Sequence, residues 1–234
     1  KTNDMENITF NLAQLHQYGT AFNEFLSLRK RFFVDQLGWS IPHDDDVEMD
    51  QYDNPKAYYS LVLRDGKVIG GTRAMATTAQ WGSHTYMLRD AVAGKLIGIP
   101  ADILPKADAT TNVWEVTRTV ISDDVTTQAD RSLCLSLMLD GAVDVARGKG
   151  ATELMSLSPV AMARTLRKLG YDAQRIGEPY RNKEDGRRYA CVSMPTIRSN
   201  NGKVHAISRD ACGPQMLKPT HMAQPHAVHA PTVL

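Results

Sequence analysis

Cysteine is scarce. The three residues in 234, Cys134, Cys191 and Cys212, are odd in number and far apart, which excludes a disulfide framework and a zinc spacing. A reducing compartment is the expectation. Long apolar runs are missing as well: no stretch approaches the roughly 18 residues of a membrane helix, and no signal-type apolar segment opens the chain. The sequence therefore predicts a soluble, cytoplasmic protein with no membrane partner. Charge of one sign is not in excess either, since 27 Lys and Arg against 26 Asp and Glu leave +1. That balance gives no global field for nucleic acid, and no basic stripe is interleaved with aromatics, so no nucleic-acid partner is expected.

What is present is ordinary globular content. With 42% hydrophobic and 23% charged residues, the chain is neither disordered nor fibrous. It is long enough to bury a core without metal or disulfide support. Composition changes once, near residue 198. Residues 1–197 read as one domain, and residues 198–234 as a Pro- and His-containing, loosely ordered C-terminal tail. That tail holds four of the seven histidines and four of the eleven prolines. Its prolines interrupt any long helix. His221, His226 and His229 have the composition of a metal tract, but they read as a tail that binds no metal.

Within the domain, helical and strand signals alternate. Ile8–Leu12 reads as a short strand. Thr20–Gln36 reads as a helix, because Ala21, Phe22, Phe25, Leu26, Phe33 and Leu37 recur at spacings of three and four. Ala57–Arg64 and Lys67–Ala76 flank Asp65-Gly66, a hairpin turn signal. Val113–Ile121 is the next clear strand and Thr127–Arg147 a long helix. Leu154–Leu157 reads as a strand, Val160–Leu169 as a helix, and Arg188–Met194 as a closing strand. One hairpin followed by strand–helix–strand–helix–strand predicts an α/β fold with a mixed sheet and helices on both faces.

Several charged residues fall where charge is costly. Arg29 lies on the apolar stripe of the first helix, four residues from both Phe25 and Phe33, and an inward guanidinium must be paired. The segment Asp44–Asp53 lacks the glycine and terminal glutamate of a calcium loop, and Asp44 to Asp46 read as a solvated charge run. Asp50 and Asp53 stand apart from that run, since they precede the hairpin and suit either Arg29 or a cationic ligand. Arg73 follows Gly70-Gly71, a pair that marks a bulge or a close backbone approach. Glu115 and Arg118 lie in one central strand. Three residues apart, they serve opposite faces unless a bulge turns them together. This excess of inward charge predicts a polar pocket for a zwitterionic or charged small ligand.

Arg29-x3-Phe33-x5-Trp39, Asp50-Gln51-Tyr52-Asp53, Gly71-Thr72-Arg73 and Glu115-x2-Arg118 together resemble the signature of the acyl-homoserine lactone synthases, the quorum-sensing autoinducer synthases. The resemblance covers roughly residues 7–195. It implies a three-layer α/β/α sandwich with a mixed central sheet, similar to N-acyltransferases of the GNAT type. It also implies an activity. The amine of S-adenosylmethionine attacks the thioester of an acylated acyl-carrier protein or an acyl-CoA, and the methionine carboxylate then closes the lactone and expels methylthioadenosine. S-adenosylmethionine is then a substrate, and no cofactor is expected.

Roles follow from the resemblance. Glu115, or a main-chain carbonyl on its strand acting through water, would receive the amine proton. Asp50 and Asp53 would meet the ammonium and sulfonium charges and lock Arg29. Arg73 and Arg118 would shape the carboxylate end. Phe33 and Trp39 would wall the pocket, and Ser158 would lie near the acyl β-position. Arg147, Lys149, Arg164, Arg167 and Lys168 would offer a docking face to an acidic carrier protein, or form an ordinary solvated surface. One departure concerns the stretch from Met87 to Leu104, which has no phenylalanine where many members carry an aromatic, so acyl preference stays open. Two rival readings remain, a GNAT-type N-acyltransferase acting on another amine and a non-catalytic small-molecule sensor. The acidic, glycine-free segment Ser122–Thr127 counts against the first, because it would repel the pyrophosphate of CoA.

Overall fold

Hydrophobic periods along the chain become alternating strands and helices in space. A computed structural model describes residues 5–199, so the tail beyond Ser199, with its histidines, lies outside the described residues. The strand β1 (Met5–Asn11) leads through a 3-10 turn into α1 (Ala21–Arg29), which continues as a π-helical segment (Lys30–Gln36). Next come β2 (Tyr58–Arg64), β3 (Lys67–Ala76), α2 (Met87–Val92) and β4 (Val113–Ile121). The chain closes with α3 (Gln128–Gly148), β5 (Glu153–Pro159), α4 (Met162–Lys168), β6 (Gln174–Arg181) and β7 (Arg188–Pro195).

The seven strands form one sheet in the order β1-β2-β3-β4-β5-β7-β6. All neighbours are antiparallel except β4 and β5. Asp65 and Gly66 turn the β2–β3 hairpin with φ of 53° and 74°, the left-handed pair that matches strand twist. Two apolar clusters cover the sheet. One holds α1, the π segment and α2; the other holds α3 and α4. The expected three-layer α/β/α sandwich is what forms.

Two local features shape the site. Phe25, Arg29, Phe33 and Leu37 are spaced by four, and each such step in an α-helix overshoots a full turn by about 40°. A regular helix would carry Leu37 off the face that Phe25 starts. The wider π turn takes the overshoot back, and all four side chains are buried. The second feature is a short seam. β4 and β5 pair only at Val113–Glu115 with Glu153–Met155, and beyond that the two strands part.

Two elements escaped the sequence reading. The six residues of α2 lie inside a long irregular stretch and give no periodic run. β6 contains Gly177 and Pro179 and breaks register with β7 between Ile176 and Tyr180. As the sheet's edge it tolerates both residues, which in a sequence argue against a strand.

Candidate active site

The site grows from a bulge. Between Gly71 and Arg73, the single residue Thr72 on β3 faces both Arg118 and Thr119 on β4. Arg118 takes φ 56°, a left-handed conformation that costs a non-glycine residue about 1–3 kcal/mol. The bulge resolves the question of faces raised by Glu115 and Arg118. It turns the guanidinium of Arg118 onto the acidic segment, where Nη2 donates to Asp50 at 2.9 Å and Nε to Glu48 at 3.1 Å. Gly71 permits the close approach beside it. A Cβ there would stand 2.5 Å from Leu61 Cδ2 and 2.8 Å from the Phe25 ring.

Around Arg118 the charges interlock. Arg29 donates from Nε to Glu48 at 2.7 Å and from Nη1 and Nη2 to the two oxygens of Asp53, each at 2.8 Å. Arg73 donates to Asp50 at 2.6 and 3.2 Å and lies 3.0 Å from Asp53. The Tyr59 hydroxyl adds a bond to Asp53 at 2.9 Å. Three guanidinium groups thus alternate with three carboxylates, and the buried charge sums to zero. Arg29 is fully buried and Arg73 nearly so. Burial alone would raise the Asp50 and Asp53 pKa values, but the neighbouring guanidinium groups hold both below the usual carboxylate range.

Asp53 locks Arg29 as expected, whereas Asp50 locks Arg73 and Arg118 instead. Glu48 was missed. It follows the run read as solvated and was given no role, yet it is fully buried between Arg29 and Arg118. The signal that points to it is a count: three inward arginines need three anions, and only Asp50 and Asp53 were read as partners.

Glu115 does something else. Its oxygens accept the main-chain N–H groups of Met87 and Leu88 at 2.9 and 2.8 Å. They therefore anchor the start of α2 behind the cavity wall. Burial pushes its pKa up to about 7, against the opposing pull of those two N–H groups. Each oxygen is thus engaged by the backbone, and Glu115 lies outside the cavity lining.

A cavity of about 530 Å³ opens along β4. Six consecutive residues, Val116 to Ile121, line it. A strand presents alternate residues to each face, so this run means that the cavity follows the open edge of β4 where β5 has parted from it. Asp50, Arg118, Phe33, Trp39 and Ser158 all reach the wall. Phe33 and Trp39 stack at 5.0 Å, and the Arg118 guanidinium lies 5.4 Å over the Phe33 ring. Arg29, Asp53, Arg73 and Glu115 lie behind the wall. Tyr52 lines the cavity too, and its hydroxyl donates to Asp90 on α2 at 2.9 Å.

Arg147, Lys149, Arg164, Arg167 and Lys168 are exposed and do not line the cavity. Lys149 sits 5.0 Å over the Tyr58 ring, and Arg167 donates to the Ala173 carbonyl at 2.8 Å. Among the described residues no cluster of His, Cys, Asp and Glu is arranged to hold a metal, and no helix is long and apolar enough to cross a membrane.

Comparison with known proteins agrees with this geometry. An acyl-homoserine-lactone synthase of Acinetobacter nosocomialis is 32% identical over 166 residues, covering 68% of this chain and 84% of that protein. The crystal structure of TofI in a ternary complex with an inhibitor and MTA is 27% identical, with a TM-score of 0.61 over 82% of this chain and 91% of TofI. In fold alone, a Lactobacillus plantarum structure described as an N-acetyltransferase, 17% identical, covers 83% of this chain and 100% of its own, with a TM-score of 0.50. The family model for autoinducer synthases matches residues 13–207, nearly the whole domain with its charged knot, and the chain belongs to that family.

Proposed function

We propose that the chain is an acyl-homoserine lactone synthase, using S-adenosylmethionine as the acceptor and an acyl thioester as the donor. The observation that carries this reading is the pairing of Asp50 and Arg118 at the wall of one cavity that also runs along an open strand edge. A carboxylate beside a guanidinium suits the ammonium and carboxylate of an amino-acid substrate. An apolar slot between parted strands suits an acyl chain. The six charged residues of the interlocked cluster divide accordingly. Asp50 and Arg118 face the ligand; Arg29, Glu48, Asp53 and Arg73 hold them in place.

The reaction has two bond exchanges. The free amine attacks the thioester carbonyl, a C–N bond forms, the C–S bond breaks, and the donor leaves as its thiol. The amine proton passes to ordered water at the β4 bulge, the route that remains once Glu115 is committed to α2. The carboxylate oxygen then attacks the carbon bearing the sulfonium, that C–S bond breaks, and methylthioadenosine departs as the lactone closes. Phe33 and Trp39 screen the thioester from bulk water. The acyl chain lies between β4 and β5, with the Ser158 hydroxyl near its carbonyl end.

For the donor, the N-terminus of α3 is the relevant surface. Asp123 and Asp124 occupy the loop where a pyrophosphate would otherwise meet helix N–H groups. This favours a carrier-borne acyl group over CoA, with the exposed bases at the ends of α3 and α4 as the docking candidates.

Mass spectrometry of the purified protein with S-adenosylmethionine and a panel of acyl-carrier proteins and acyl-CoAs tests the reading. Formation of a homoserine lactone with an equal amount of methylthioadenosine is expected. Acylation of another amine with S-adenosylmethionine left intact would overturn it.

A further inference from the structure

The tip of the β6–β7 hairpin, Asn182 to Arg187, is far in sequence from the signature residues, yet it bonds to them. Asp185 Oδ2 accepts the Trp39 indole N–H at 2.8 Å across 146 positions, and also the Tyr189 hydroxyl at 2.6 Å. Its other oxygen accepts the Arg187 N–H at 2.8 Å. Next to it, Glu184 accepts the Ser40 N–H at 2.8 Å. Two adjacent carboxylates on one hairpin thus fasten two adjacent residues of the loop that follows the π segment. Both sides of this contact line the cavity.

An indole ring can turn about two side-chain bonds, and stacking on Phe33 fixes its plane but not the direction of its N–H. Asp185 supplies that missing restraint. The fixed Trp39 packs on Phe33 and lies 5.9 Å from the Tyr189 ring, while the Arg118 guanidinium sits 5.4 Å from the centre of the same Phe33 ring. The hairpin carboxylate is therefore connected through one hydrogen bond and two ring contacts to the guanidinium at the ligand face.

We infer that Asp185 is a positioning residue, which sets the orientation of Trp39 and through it the binding of S-adenosylmethionine. The inference rests on the function proposed above, and places Trp39 where the acceptor amine meets the thioester that this ring screens. Asp185 touches no reacting atom. Its loss should act on binding more than on chemistry.

The test combines kinetics with fluorescence. Asp185→Ala should raise KM for S-adenosylmethionine about tenfold and change kcat less than about twofold, the split expected when ground-state and transition-state binding fall together. Tyr189→Phe, which leaves the indole bond intact, should change KM less than about twofold. In a Trp39→Phe background, Asp185→Ala should add nothing further. The chain has three tryptophans, of which Trp114 is buried and Trp81 exposed. The emission change on Asp185→Ala should disappear when Trp39 is absent.

An unchanged KM, or the same KM rise with and without Trp39, would overturn the inference. If the alanine variant does not fold, Asp185→Leu, close to aspartate in size and without an acceptor for the indole N–H, takes its place under the same criteria. Absence of lactone from the wild-type chain would refute the proposed function. The emission measurement needs no substrate, and would still decide whether Asp185 orients Trp39.

Discussion

Replacing Arg29 by methionine keeps most of the stem's volume and removes the guanidinium. Three charge-assisted bonds disappear, one to Glu48 and two to Asp53. The carboxylates are not orphaned, since Asp53 keeps Arg73 at 3.0 Å and Tyr59 at 2.9 Å, and Glu48 keeps Arg118 at 3.1 Å. What changes is the sum: the knot goes from neutral to one uncompensated negative charge in a region closed to water. Removing one partner of a buried pair costs about 3–5 kcal/mol. In a chain of this size 1 kcal/mol moves the melting temperature about 2–4 °C, so Arg29→Met should melt about 6–20 °C below wild type at pH 7. The deficit has a sign in pH as well. Asp53 is held below its ordinary pKa in the wild type, so that stability is present above about pH 4 and lost as pH falls through the depressed value. The variant has less of this to lose, and the gap between the two melts should narrow on acidification. Circular dichroism melts at pH 7 and at about pH 2.5, inside the window where the Asp53 contribution is being lost, would show both effects. A melt within about 2 °C of wild type at pH 7, or a gap that does not narrow, would refute the reasoning.

Glu115→Gln places an amide nitrogen against a main-chain N–H at the start of α2, and should cost about 1–3 kcal/mol while retaining more than about a tenth of kcat. Lost turnover with an unchanged melt would return Glu115 to the chemistry. The pH profile of stability carries the opposite sign at this residue. Its pKa rises from 4.5 to about 7 on folding, so its contribution is full below the lower value and is lost as pH climbs to the upper one. Urea midpoints measured between those limits should fall with pH in the wild type and flatten in Glu115→Gln. Gly71→Ala should destabilise by about 1–3 kcal/mol, because the new methyl meets Leu61 and Phe25 on a packed face. A wild-type urea midpoint would show that β3 can shift to admit it.

Much of the frame was readable from periodicity. The hairpin at Asp65-Gly66, the strand Val113–Ile121 and the long helix all fall within a residue or so of expectation, because each has a clean period and a turn residue at its end. The charged positions were readable because a charge on an apolar stripe or in a central strand must be answered. Which charge answers which was not readable. Glu48 lies beside an acidic run that looks solvated, and only its pairing in space with Arg29 and, through the bulge, Arg118 shows that it is turned inward. The contacts of Glu115 were unreadable for a similar reason. Its partners are two main-chain N–H groups of a short helix, and backbone donors leave no mark in a sequence. The hairpin tip that holds Trp39 was invisible because contacts across 146 positions have no local signal.

The short seam between β4 and β5 bears on how such a chain changes over generations. The slot's width is set by where two strands stop pairing, and three residue pairs decide that. A substitution at Glu115 or Met155, the pair at which the strands part and neither of them in the cavity wall, could lengthen or shorten the seam and so narrow or widen the slot. Selectivity can then drift while every residue touching the substrate stays the same. Two lineages with identical pocket walls could make different signals, and a comparison confined to wall residues would find no difference between them.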